Sequence, residues 1–143
     1  MMERLKEKLH GEACSLVVEN GRMRTFFGRG ISDLYKLYTE DRCFLEGALV
    51  ADKVVGKGAA ALMVLGGVRE VYATLISEPA WGLFRSCGIP VSYGEMVPQI
   101  MNRGKTGFCP VETLCREAAT AEECLPLIAS FYASLYGQDD ALQ

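Results

Sequence analysis

Residues 47–77, GALVADKVVGKGAAALMVLGGVREVYATLIS, constrain the fold more than any other stretch. GALVA, residues 47–51, is too short and too uniformly apolar for a strand with one wet face, so it reads as a central strand covered on both sides. The small and apolar residues that follow predict a helix over 53–65, stopped by Gly66-Gly67. EVYATLIS, residues 70–77, is a second interior strand. Buried strands joined by a helix call for helices on both faces of a sheet.

The remaining chain fits round that unit. ERLKEKLH, residues 3–10, predicts a short helix ended by Gly11. CSLVVENGRMRTFF predicts two strands about a two-residue Asn20-Gly21 turn, broken by Gly28-Arg29-Gly30. ISDLYKLY puts Ile31, Leu34 and Leu37 or Tyr38 on one helical face, capped by Ser32 or the preceding loop. Ser77 or Glu78 caps the next helix, which tolerates Pro79 in its first turn, carries Trp81, Leu83 and Phe84, and stops near Gly88. IPVSY is a final strand, with Pro90 placing it at an edge or a strand start. A short helical piece at VPQIMN, a loop and a helical region over 110–136 complete the chain. With no linker or repeat, residues 1–143 form one α/β domain with about five strands.

Composition narrows the class. Half of the 143 residues are apolar, enough for a core without disulfides, so the six cysteines need no oxidising framework. A net charge of −3 opposes a nucleic-acid partner held by phosphate contacts. MMERLKEKLH lacks the apolar region of a signal peptide, and no run approaches the roughly 20 apolar residues that span a bilayer. The expectation is a reduced cytoplasmic protein with no membrane partner.

Two segments approach a phosphate loop and fail. GxxxxGK[ST] needs glycine amides round the phosphates and a hydroxyl on the metal. ADKVVGKG has Ala51 for the first glycine and Gly58 for the hydroxyl; QIMNRGKTG has Gln99 at its opening and no convincing preceding strand. The first segment still places Asp52 at a strand-to-helix junction, where it is expected to accept the helix's free N–H groups. Lys53 and Lys57, four apart, are expected on one helical face, flanking an anion at the open strand ends. The plainer reading is a capping aspartate beside two solvated lysines.

NRGKTGFCPVETLC, residues 102–115, is the second dense stretch. Pro110 suits a first helical position, making Cys109 the N-cap and Glu112 the third residue. A thiolate is stabilised at such a position, so Cys109 is a candidate nucleophile, although Glu112 opposes its ionisation. Asn102, Arg103, Lys105 and Thr106 are candidate contacts to a polar or anionic ligand; an ordinary solvated loop is the alternative. Glu78 and Tyr93 join them because strand ends are the usual site address in open α/β sheets. Cys14 and Cys87 read as core. His10 has no partner nearby in sequence, so neither a triad nor an ordinary zinc site is expected.

VADKVVGKGAAALMVLGGVREVYATLISEPA followed by GIPVSYGEMVPQIMNRGKTGFCPVE resembles an uncharacterised prokaryotic domain family with the cytidine-deaminase-like fold, over about residues 12–130. That resemblance implies a three-layer α/β/α sandwich with a mixed sheet, and no settled reaction. Zinc deaminases carry H/C-x-E at one helix start and P-C-x-x-C at the next. The corresponding positions here, 28–33 and 52–56, hold no such ligands, and Cys109-Pro110 follows the last strand with Cys115 at the wrong spacing. No metal or other cofactor is expected. The functional expectation is a small-molecule protein, nucleoside- or nucleotide-like in ligand, binding only or a metal-independent enzyme. Asp52, Lys53 and Lys57 would line one wall of a cleft at the strand carboxyl ends, with Glu78, Tyr93 and the 102–112 loop opposite. Asp52 or Glu78 would be the general base. The competing class is a non-catalytic structural or homo-oligomeric protein, with Trp81, Phe84 and Tyr132 as candidates for a self-association surface, although core positions are the plainer reading of such isolated residues.

Overall fold

A computed structural model describes residues 2–12, 14–28, 31–100 and 110–142, with the side chains of 110, 112 and 134–142 outside that description. Helix α1 (Met2–Gly11) leads into a hairpin of β1 (Leu16–Glu19) and β2 (Met23–Phe26). Helices α2 (Ser32–Glu40) and α3 (Arg42–Leu45) precede β3 (Leu49–Val55), α4 (Lys57–Gly66), β4 (Glu70–Ser77), α5 (Glu78–Ser86) and β5 (Val91–Val97). Helices α6 (Pro110–Cys115) and α7 (Ala121–Leu142) follow.

The five strands form one mixed sheet in the order β2-β1-β3-β4-β5. β1 runs antiparallel to β2 and β3, whereas β3, β4 and β5 are parallel. This is a mixed α/β architecture consistent with a three-layer sandwich. One face carries α1: Leu5 and Leu9 pack with Val17, Leu49, Ala51 and Tyr72. The larger core joins Leu16, Val18, Val50, Val71 and Ala73 to α2, α4, α5 and the C-terminal helices. Helix α4 is buried almost throughout because the sheet, α5 and α7 surround it.

Several boundaries differ from those expected. The hairpin turn has three residues, since Glu19 pairs with Met23 and the Asn20 N–H donates to the Arg22 carbonyl. Its turn is held from outside, the Asn20 side-chain amide donating to the carbonyls of Phe44 and Glu46 at 3.0 and 2.9 Å. Ile31 caps α2 without a side-chain bond; Asp33 instead accepts from the Gly28 N–H at 2.7 Å. The short α3 was not anticipated. β5 runs through Val97 into a bend at Pro98 and Gln99, so VPQIMN starts as strand, with its last two residues outside the described set. The expected helical region over 110–136 is two helices. Thr120 and Glu123 open the second reciprocally: Glu123 N–H donates to Thr120 Oγ1 at 3.2 Å and Thr120 N–H to Glu123 Oε2 at 3.1 Å. Cys14 is buried as expected, but Cys87 is exposed at the end of α5.

Candidate functional site

The expected strand end at Ala51 is the largest correction, because β3 continues through Asp52 and Lys53 to Val55. Asp52 is therefore not a helix cap. Gly56 occupies that position and contributes no side-chain bond. Lys53 and Lys57 share no helical face: one lies in the strand and the other opens α4.

The register shows what each residue faces. Asp52 pairs with Leu16 on one side and Ala73 on the other, and Ala73 pairs with Tyr93. Leu16–Asp52–Ala73–Tyr93 is thus one row on the face of the larger core, with only a methyl group between the carboxyl and the tyrosine. The next row, Lys53, Thr74 and Gly94, is skipped in both parallel ladders. There the Val54 N–H turns to Asp52 Oδ1 at 3.4 Å. A β-carbon on Gly94 would lie 2.9 Å from the Thr74 carbonyl oxygen. Strict alternation would send Val55 and Ile76 to the α1 face, yet both pack in the larger core, and Val54 is 43% exposed. The change of side falls at the interrupted row.

Burial pushes the Asp52 carboxyl up to about 8, against the opposing pull of the Val54 and Lys53 amide groups. Asp52 is half-buried, its one hydrogen bond is accepted from the Val54 N–H, and its row-mates are apolar apart from Tyr93; a carboxyl so raised is mostly protonated at neutral pH. Tyr93 is 42% exposed.

The lysines diverge. Lys53 lies near Cys14, where its charge favours the thiolate, but burial is the larger effect and pushes that thiol up. Lys57 donates to the carbonyls of Arg116 and Ala118, tying α4 to the connection between α6 and α7. That start of the helix is filled by apolar groups: a β-carbon on Gly58 would lie 2.5 Å from Val111 Cγ1, with Ile128 and Cys115 close behind. Glu78 opens α5 as an exposed residue, while the buried Ser77 accepts from the Ala80 N–H at 3.2 Å as its cap. Asn102, Arg103, Lys105, Thr106 and Cys109 lie outside the described residues, as does the side chain of Glu112, whose backbone belongs to α6.

Sequence reasoning passed over one polar contact. His10 Nε2 lies 3.1 Å from Thr74 Oγ1, and its ring meets Tyr72 edge-on at 6.2 Å. Residues 64 apart in sequence offer no spacing signal; only the fold joins the end of α1 to the middle of β4. Among the described residues no group of three His, Cys, Asp or Glu side chains is placed to hold a metal, and no helix is long and apolar enough to cross a membrane.

Two surface hollows lie away from Asp52. One of about 440 Å³ sits at the start of β5, lined by Trp81, Arg85, Ile89 and Val91. Another of about 270 Å³ lies between α2 and α7, beside the stacked rings of Tyr35 and Tyr132. Neither contains Asp52, Glu78 or Tyr93.

Residues 4–132 match the family TM1506, described as a domain of unknown function (DUF1893). The chain belongs to the DUF1893 family. A crystal structure of a DUF1893 family protein from Thermotoga maritima is similar over 90% of this chain and 88% of that one, at 28% identity and a TM-score of 0.83. No curated protein matches. The DUF1893 chain therefore shares its fold with a solved relative, and the chemistry must be argued from its own residues.

Proposed function

We propose that this DUF1893 protein binds a small polar molecule, nucleoside- or nucleotide-like in class, on a cytidine-deaminase-like fold, with Asp52 as its proton-holding group. The strand order 2-1-3-4-5, with only β1 reversed, supports the fold assignment. The observation that carries the function is Asp52 itself. A carboxyl retained inside a strand, raised to about 8 and one small residue from a tyrosine, is costly for folding and suited to handling a proton near neutral pH. It would act as general acid when protonated or as a donor to a ligand carbonyl, without a metal. Tyr93 supplies a second hydroxyl in the same row.

Nucleosides and nucleotides screened by thermal shift test the reading, with product analysis of the same samples separating enzyme from binder. A ligand that raises the melting temperature of the wild type but not of Asp52→Asn or Tyr93→Phe is expected. Ligand shifts indifferent to both substitutions, or none across the panel, would contradict it. The competing structural or oligomeric reading draws support from the exposure of β5.

A further inference from the structure

We propose that the α1 face of the sheet holds a phosphate-binding site, built where Gly94 leaves the tip of the Tyr72 side chain uncovered. Tyr72 packs with Leu5 and Leu9 of α1 and is only 7% exposed, yet its hydroxyl has no hydrogen-bond partner among the described residues. A tyrosine so deeply buried usually spends its O–H on a partner. This one points at Gly94, where a β-carbon would lie 3.6 Å from Tyr72 Oη and 2.9 Å from the Thr74 carbonyl oxygen. Gly94 is exposed, so the space that its missing side chain leaves opens to solvent.

The groups round that space are donors and cations. Lys6 Nζ stands 4.6 Å from the centre of the Tyr72 ring. His10 meets the same ring edge-on, and its Nε2 lies 3.1 Å from Thr74 Oγ1. Thr74 shares its row with Gly94 and Lys53. Lys53 lies near Cys14, whose Sγ reaches the Lys8 carbonyl at 3.5 Å, so its charge belongs to the same end of α1 as His10. Lys53 and His10 make no ion pair among the described residues, and Lys6 pairs at 3.7 Å with Glu3, a side chain 80% exposed. Glu95, next to Gly94, is exposed as well. Two hydroxyls and two ammonium groups offer protons from different directions, which suits the tetrahedral oxygens of a phosphate better than a planar carboxylate. Asp52 lies on the opposite face of the sheet, so this site stands apart from the ligand site proposed there.

Calorimetric titration of the full chain with inorganic phosphate, in chloride buffer at constant ionic strength, tests the proposal. Phosphate should bind, and acetate should bind roughly ten-fold more weakly or not at all. Tyr72→Phe keeps the ring and removes only the unpartnered hydroxyl, so the fold should hold while phosphate affinity falls about ten-fold. Lys6→Met, on the half-buried flank of α1, should weaken phosphate by a similar factor through the lost charge, and it decides the matter alone if Tyr72→Phe does not fold. Melting temperatures report the folding of both variants. No phosphate binding at tens of millimolar, an affinity unchanged in either folded variant, or acetate bound as tightly as phosphate would each overturn the proposal.

Discussion

Asp52 makes the stability of the fold depend on pH. The unfolded carboxyl titrates near 3.8 and the folded one at about 8, so between these values the folded state holds a proton that the unfolded state has lost. Asp52 therefore makes stability fall as pH rises through that window: its effect is most favourable below about 4 and fully unfavourable above about 8. Asp52→Asn, which stays neutral, should be more stable than the wild type at pH 8.5 and lose that advantage by pH 4, as urea unfolding at the two pH values would show. Gly58 makes a second case. In sequence it is the residue that spoils a phosphate loop; in the fold it is the space into which Val111 packs. Gly58→Val should cost on the order of 1–3 kcal/mol, with part recovered by adding Val111→Ala, read from denaturant midpoints. Neither role was legible in the sequence. A glycine's neighbour 53 residues away leaves no local trace, and a charged pair in an apolar run reads as a boundary.

Among the elements, those whose signal is local were read best. EVYATLIS is β4 to the residue, and α1 was expected to within a residue at each end. β3 was cut short because Asp52 and Lys53 break its apolar run, although the strand carries them through where the ladder is interrupted. β5 was cut short for a related reason: an edge strand with four exposed residues has no buried pattern to read. The start of α7 rests on the reciprocal Thr120–Glu123 bonds. Thr120→Ala should lower stability by about 1 kcal/mol, or roughly 3 °C in melting temperature. Glu123→Gln, which can still accept the backbone bond, should cost less; equal losses would show that charge and not capping matters there.

At the scale of the molecule, a five-stranded mixed sheet with helices packed on it was legible from the strand–helix–strand unit at its centre. The proposed cleft was less so. Asp52 and Tyr93 fall in one row of the sheet with Ala73 between them, while Lys53, Lys57 and Glu78 are turned to three other places. Sequence spacing located the junction between β3 and α4 within a few residues, and those few decide which face each side chain takes. What remains is Asp52, a half-buried carboxyl in the central strand β3, pushed up to about 8 by desolvation. Carbon-13 NMR of the aspartate side-chain carboxyls, with Asp52→Asn to assign the signal, measures its titration directly. A midpoint near 8 is expected for the folded protein. A midpoint near 4, the ordinary value for an exposed aspartate, would contradict a proton-holding role for Asp52 and the function built on it.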